Sequence, residues 1–339
     1  MAPRHVLELV NRNLRDITND NRPFGNKIMI LGVDFKQLLP VKINVTRSEL
    51  VDLCIKFSSI WSVFYQFSLT ANMRTLPHEV EFAKFLLSVG NGTDNDNDDN
   101  LHLPESCIAP RNTDIVEDIY GEVIRQKQFE KLSKMAILSA RNVDVDDFNK
   151  AVVELLNPET EKIYTSVNST KNCDNVEMGE ALLPEYLEKL NTPCLPPHEL
   201  RLRENSVIML INKGLCNGTR LQVLELGNHL LKCKILTGDK IGQIVFINII
   251  TLYSDDRYPF QFSRRQFPIK LAFAMTINKS QGQTFDKIGI DLRRDVKTSH
   301  GQLYVAMSRV RSWDFLKIYL GNQRESNIVK NYVYKEIYT

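Results

Sequence analysis

The sequence predicts an α/β fold in which a largely parallel sheet is interrupted by a small β-rich insertion. Three observations carry that expectation. Short apolar runs of strand length, KIMILG (Lys27–Gly32), AILSA (Ala136–Ala140), KLAFAMT (Lys270–Thr276) and IGIDL (Ile288–Leu292), are interleaved with amphipathic helical segments. Between Glu199 and Ile250 the pattern changes to four short β-rich runs, VIMLI, TRLQVLEL, HLLKCKIL and IVFINII, punctuated by Asn217-Gly218, Gly227-Asn228 and Thr237-Gly238. Strand and helix patterns then resume to the end, so the chain re-enters the sheet it left.

In chain order, Val6, Leu7, Val10, Leu14 and Ile17 recur at three- and four-residue steps and predict a first helix over Val6–Ile17, broken at Asp20–Pro23. KIMILG reads as a buried strand. Leu50–Phe67 reads as helix and loop weighted by Phe57, Trp61, Phe64 and Tyr65, and Val80–Val89 as a second amphipathic helix. Asn91–Asn100 (NGTDNDNDDN) has no apolar residue and reads as a solvated loop or hinge. Asp94, Asp96 and Asp98 alternate as in a calcium loop, but the Gly and closing Glu of such a loop are missing, so no calcium is expected. AILSA is followed by a helix over Asp144–Leu156, and Asn168–Gly179 reads as loop. After the insertion come KLAFAMT, IGIDL, a helix over Gly301–Val310 and a last strand at Phe315–Tyr319.

With 339 residues, 43 basic against 41 acidic side chains and 43% hydrophobic residues, the composition excludes collagen-like and wholly disordered chains and suggests two or three domains. No run approaches the roughly 18 consecutive apolar residues of a membrane span. The charged start, MAPRHVLELVNRNLRDI, does not read as a signal peptide. A net charge of +2 excludes a polybasic binder, so any nucleic-acid contact has to come from a local stripe. Cys54, Cys107, Cys173, Cys194, Cys216 and Cys233 lie far apart with no C-x-x-C pair, as expected of reduced thiols in a reducing compartment. On that reading the N-x-[ST] tripeptides at Asn44, Asn91, Asn168, Asn217 and Asn278 are not glycosylated.

Four segments hold polar groups at strand ends. In GVDFKQLLPV (Gly32–Val41), Asp34 and Gln37 follow a strand, at the sheet edge where α/β proteins bind ligands, and Gln37 is able to hydrogen-bond a terminal phosphate or its attacking water. A turn in which Asp34 caps the next element is the plainer reading of that spacing. LTANMR (Leu69–Arg74) ends in an arginine suited to bidentate phosphate contact, or to an ordinary surface charge. FAMTINKSQGQT (Phe273–Thr284) breaks a strand into hydroxyls, one cation and an expected helix start, groups that suit phosphate oxygens of a nucleotide or a nucleic-acid backbone. In SHGQLYVAMSRV (Ser299–Val310), Leu303, Ala306 and Met307 form an apolar helix face and Arg309 follows it, placed to act as an arginine finger. His300 before that helix reads as a capping or packing residue rather than a catalytic one.

Together these segments resemble the PIF family of DNA helicases, with the strongest likeness to the version carried by Helitron rolling-circle transposons. Phe273–Thr284 and Ser299–Val310 resemble motifs V and VI, GVDFKQLLPV resembles motif III, and LTANMR resembles motif IV. PPHELRL (Pro196–Leu202) and GLCNGTRL (Gly214–Leu221) resemble the lead-in and signature of the family's SH3-like insert, so the likeness runs from about Arg4 to Leu320. It implies a RecA-like parallel sheet of the P-loop NTPase type with a small SH3-like β-barrel insertion. The back part of a first RecA-like domain would occupy 1–68, the second 69–195 and 251–339, and the insert 196–250. It further implies an ATP- and Mg2+-dependent motor moving 5′ to 3′ on single-stranded DNA or DNA junctions, intracellular and nuclear, with family roles in recombination, repair and telomere maintenance. Gln37, Arg74 and Arg309 would be its catalytic residues, and Asp34, Gln281 and Gly282 would join them around ATP. Thr276, Asn278, Lys279, Ser280 and His300 would face DNA.

The departures are as informative. No GxxxxGK[ST] string and no Asp-Glu pair occurs, so the family's phosphate cradle and magnesium ligands are missing from these residues. In the family the acidic pair directly precedes the Met that aligns with Met1, so the chain is expected to start just after the magnesium site. Val33 replaces a usual Gly at a tight strand end, and the loop before GLCNG is a few residues short. The expectation is a helicase fragment that is inactive alone; the alternatives are a non-catalytic single-stranded nucleic-acid-binding module and a purely structural protein that keeps the fold. Poor solubility is expected, because part of a sheet would lack its neighbouring strands.

Overall fold

In the computed structural model the described residues are 2–40, 42, 45–171, 184–190, 195–211, 218–254, 261–294, 299–321 and 327–338. Val41, Asn44, Cys173, Cys194, most of GLCNG with Cys216 and Asn217, and the later part of Asn168–Gly179 lie outside them. The chain divides into two compact units, Met1–Asn112 with Ser280–Thr339, and Thr113–Lys279. This partition differs from the three-way one expected from the motifs.

In the first unit, helix Arg4–Thr18 buries Leu7 and rests Val10 and Leu14 on Phe24, Leu39, Val51, Cys54, Ile55 and Ile337. Asn19 ends it in the left-handed conformation that short polar side chains tolerate. Helix Arg47–Asp52 starts on a complete capping box, Thr46 with Glu49. Beyond it, Leu50–Phe67 continues only as 3-10 turns at Ile55–Phe57 and Trp61–Val63. Helix Val80–Asn91 buries Phe82, Leu86 and Val89 and stops at Gly92, φ +66°. The rings of Phe82 and Phe85 lie 4.8 and 4.9 Å from Trp313.

The Asn91–Asn100 stretch is the exposed loop expected, held as a turn by its own side chains. Asp96 accepts from the amides of Asp98 and Asn100 and from the Asn100 side chain, each at 2.8 Å. Asn95 Nδ2 donates to Asn331 O, and Asn331 Nδ2 donates to Asn95 Oδ1 and Val89 O. These bonds set Asn100–His102 antiparallel to Ile328–Lys330. Strands Lys287–Leu292 and Leu316–Leu320 pair in parallel, with helix Gln302–Met307 on the crossover that parallel pairing requires.

KIMILG does not form the strand that its composition predicts. The segment is extended, but among the described residues it pairs with no strand. Met29 and Leu31 pack on the Leu7 cluster, while Ile28 and Ile30 are 92% and 89% exposed. The period-2 alternation is present and the ladder is not, because a strand exists only where another strand completes its hydrogen bonds. Tyr65, Phe67 and Leu69 repeat the pattern, all largely exposed. Replacing Ile28 and Ile30 together by Thr is expected to raise the soluble, monomeric fraction in size-exclusion chromatography and to change the melting transition by less than about 0.5 kcal/mol. A melt lowered by several kcal/mol would show that the two side chains are buried.

In the second unit, strand Met135–Ser139 is entirely buried and runs parallel to Ala274–Thr276. KLAFAMT is therefore two strands in two sheets: Ile269–Leu271 pairs antiparallel with Val207–Leu210, and the chain bends at Phe273 before Ala274 joins Met135–Ser139. Helix Asn142–Leu155 packs Val145, Phe148, Val152 and Val153 inward. Its Asn149 acts as a substitute strand: Nδ2 donates to Ala274 O (3.0 Å) and Oδ1 accepts from Ala274 N (2.9 Å).

The β-rich insertion is five strands in the order Ile269–Leu271, Val207–Leu210, Arg220–Leu226, Leu230–Ile235, Ile244–Asn248, around Leu202, Ile208, Leu221, Val223, Leu231, Cys233 and Phe267. It thus recruits Ile269–Leu271 from beyond the expected 196–250 boundary. The expected loop at Asn168 is a strand, Val167–Lys171, paired with Gln261–Gln266. Two fully buried arginines fasten this region. Arg264 donates to the carbonyls of Leu187, Leu190 and Pro196 and to Asn168 Oδ1, closing the end of helix Pro184–Lys189. Arg220 donates to Ser133 O (2.7 Å), Ala272 O (2.9 Å) and Met135 O (3.2 Å).

Candidate functional site

The first unit brings together five of the polar residues singled out from sequence. Asp34 organises the turn after the extended segment: Oδ1 accepts from Lys36 N (3.1 Å), Oδ2 from Gln37 Nε2 (3.0 Å), and its carbonyl from Gln37 N (3.1 Å). The plain turn-capping reading of Asp34 therefore holds, and it also aims Gln37. With Nε2 committed to Asp34, Gln37 Oε1 accepts from Gln281 Nε2 at 3.2 Å. Gly282 follows at φ +78°, which glycine adopts without strain.

Arg74 and Arg309 meet at the end of helix Gln302–Met307. Asn72 Oδ1 accepts from the amides of Arg74 and Thr75, an Asx turn that presents the arginine. Arg74 Nη1 then donates to Ser308 O (3.1 Å), one of the end-of-helix carbonyls that a helix cannot satisfy itself. Arg309 is buried and holds its own turn: Nε donates to Val305 O (2.8 Å), Nη2 to Ser308 Oγ (2.7 Å), and Nη1 approaches Ser280 O and Gln283 O. Burial, then the like charge of Arg74, pushes the Arg309 guanidinium down to about 10, so it remains cationic at neutral pH. Two cations at one turn, opposed by Asp34, form a local field that favours an anion.

Sequence reasoning missed Tyr304, Lys36, Gly301 and Tyr338. The Tyr304 hydroxyl lies 3.5 Å from Asp34 Oδ2, and burial with that carboxylate pushes it up to about 12. A Cβ on Gly301, φ +71°, would stand 2.3 Å from Lys36 O and 2.9 Å from Gln37 C, so only glycine lets the Gln37 loop lie there. The one sequence signal was Tyr304 preceding Ser308 by four residues, on the same helix side.

Two DNA-facing expectations are corrected. His300 is 1% exposed with both ring nitrogens engaged within the unit, Nε2 on Phe35 O and Nδ1 on Tyr334 N, and presents no surface to a strand. Ser280 is fully buried, with its carbonyl accepting from Gln283 N. Asn278 and Lys279 are exposed and Thr276 half-buried. The expected helix start there is a four-residue 3-10 turn, Ile277–Ser280. Among the described residues no three His, Cys, Asp or Glu side chains gather as a metal site, and no helix is long and apolar enough to cross a membrane. Asp34, whose oxygens are taken by its own turn, does not make a magnesium site alone.

Three family models match: PIF1-like helicase over residues 1–100, the 2B domain of DNA helicase Pif1 over 185–226, and a helicase model over 260–337. The chain is similar to PIF1-like helicases in these three separate segments. The ATP-dependent DNA helicase PIF1 of Danio rerio is 26% identical over 330 residues, 92% of this chain and 43% of that protein. The chain spans less than half the length of the vertebrate PIF1 proteins it matches. Among solved structures, the Pif1 helicase of Candida albicans superposes with a TM-score of 0.67 at 23% identity, covering 100% of this chain and 72% of that one. A Bacteroides Pif1 in complex with ADP-AlF3 and ssDNA gives 0.63 at 22% identity, covering 98% and 70%. The fold is thus the RecA-like one of the PIF1-like helicases, and the 2B match overlaps the β-rich insertion.

Proposed function

We propose that this chain supplies the sensing and arginine side of the nucleotide cleft of an ATP-dependent 5′-to-3′ DNA helicase, acting on single-stranded DNA and DNA junctions inside the nucleus. The observation that carries the reading is the convergence of Gln37, Gln281, Arg74 and Arg309 within one unit, with Asp34 as the opposing charge. Amide and guanidinium donors suit the oxygens of a terminal phosphate, and an arginine supplied at a closing cleft stabilises charge on a transferring phosphoryl group. Asn278 and Lys279, exposed beyond strand Ala274–Thr276, are the DNA-facing groups of the proposal, with Thr276 behind them. No GxxxxGK[ST] string or Asp-Glu pair occurs within these 339 residues, so the proposal is confined to the sensing and arginine side of the cleft.

The test is DNA-stimulated ATP hydrolysis, measured on the chain alone and on a fusion carrying the P-loop-bearing segment of a PIF1 relative at its amino terminus. The chain alone is expected to show none. The fusion is expected to hydrolyse ATP when single-stranded DNA is added, and Arg309→Ala to lower that rate by roughly 10³ or more. Robust DNA-stimulated hydrolysis by the unfused chain would overturn the assignment. Salt-sensitive DNA binding by the chain, with a fusion that never hydrolyses ATP, would favour the non-catalytic binding module.

A further inference from the structure

His300 is buried where no DNA strand reaches it, and its two hydrogen bonds determine its chemistry. The amide of Tyr334 donates to Nδ1 at 2.9 Å, and an amide N–H cannot accept, so Nδ1 carries no proton. The proton therefore sits on Nε2, which donates to Phe35 O at 2.8 Å. Phe35 lies between Asp34 and Gln37, and Tyr334 stands just before the last turn of the chain, Lys335–Ile337. One imidazole thus joins the two ends of the chain.

Other contacts converge on the same place. Tyr338, 303 residues beyond Phe35, donates its hydroxyl to Gly90 O (2.9 Å) and lies 3.4 Å from Phe35 O. Arg47 stacks 4.3 Å from the Tyr334 ring centroid and pairs with Glu336 at 2.8 Å, while Lys56 holds Ile337 O. Gly301, the next residue after His300, lies directly against the backbone of Lys36 and Gln37.

We propose that His300 is a positioning residue that clamps the loop of Asp34 and Gln37 to the Tyr334–Tyr338 segment, and that the clamp requires the neutral, Nε2-protonated ring. The sensing consequence rests on the nucleotide reading above; the clamp itself does not. A proton added at Nδ1 would face the Tyr334 N–H, donor against donor, and release that end. The charged and titratable groups acting on or stacked against the ring are Arg47 and Glu336 with Tyr334 and Tyr338, while Asp34 and Lys36 stand on the loop it holds. Burial, reinforced by Arg47, holds the imidazole below its ordinary value. The folded ring therefore resists protonation that the unfolded ring accepts, so folding stability begins to fall as pH drops below about 6.5, while the clamp itself stays closed until pH passes the folded ring's lowered value.

The experiment uses Trp61, whose ring lies 5.9 Å from Phe35, as the reporter, in a Trp313→Phe form that leaves it the only tryptophan. A shift in its emission is expected only once pH falls well below the ordinary imidazole value of about 6.5, and His300→Gln is expected to abolish that shift. A shift that persists in His300→Gln overturns the proposal. Because that variant could fail to fold, the second measurement is made on the unaltered chain: two-bond proton–nitrogen NMR of the imidazoles at pH 7.5. An Nε2-protonated His300 supports the clamp, and an Nδ1-protonated or charged ring overturns it. In the P-loop fusion, the expected tautomer together with a Trp61 signal that ignores ATP would leave the clamp standing and remove the nucleotide reading, which separates the two failures.

Discussion

Replacing Arg220 by alanine is expected to cost roughly 3–5 kcal/mol of unfolding free energy, the scale for removing one partner of a buried, charged hydrogen-bonded group. The side chain is fully buried, and its guanidinium serves the carbonyls of Ser133, Met135 and Ala272 together. Burial pushes it down to about 10, so it is still charged at neutral pH and those carbonyls are its compensation. Alanine leaves the carbonyls without that donor and a cavity in place of a long side chain. Lysine keeps the charge but not the planar fork that reaches three acceptors, and is expected to recover less than half of the loss. Urea denaturation of the two variants measures both effects; a loss below about 1 kcal/mol in Arg220→Ala would show that water or another donor replaces the guanidinium.

Arg220 also shows what the sequence could and could not disclose. It stands in the GLCNGTRL signature, yet nothing in the sequence singled it out, because its partners lie 52 to 87 residues away and no local pattern points to them. Elements set by local periodicity were read well: helices Arg4–Thr18, Val80–Asn91 and Asn142–Leu155, and strands Met135–Ser139, Lys287–Leu292 and Leu316–Leu320. Elements set by a distant partner were not. KIMILG has the composition of a strand without the neighbour that would make it one, and the polar VNSTK segment becomes a strand because Gln261–Gln266 pairs with it. KLAFAMT is continuous in composition, yet its two halves answer to different sheets. In the site, the motif residues Asp34, Gln37, Arg74, Gln281 and Arg309 were legible as polar groups after strands or helices. Tyr304, Gly301 and Tyr338 were not, since each matters through close approach to a loop far away in sequence.

Asn149 offers the other large effect, and one that ties the fold to the proposed DNA contact. Its side-chain amide satisfies both the N–H and the carbonyl of Ala274 from a buried position on helix Asn142–Leu155. Asn149→Asp keeps the acceptor for Ala274 N–H but sets a buried carboxylate against Ala274 O, and is expected to cost about 2–4 kcal/mol at pH 7. The sign of its pH dependence follows from that geometry. Burial and the facing carbonyl favour the protonated acid, so the folded state binds a proton more tightly than the unfolded one, and the penalty shrinks as pH falls toward 4. Asn149→Leu removes both bonds with no charge, and its cost is expected to stay level over the same range. Urea melts of the two variants at pH 7 and pH 4.5 separate them, and parallel behaviour would refute the bonding pattern. Strand Ala274–Thr276 leads directly into Asn278 and Lys279, so loosening it frees the backbone that presents those side chains. Single-stranded DNA affinity is therefore expected to fall several-fold in Asn149→Asp at pH 7 and to recover on mild acidification, relative to the unaltered chain at each pH; binding that ignores Asn149 would mean that DNA does not engage this turn.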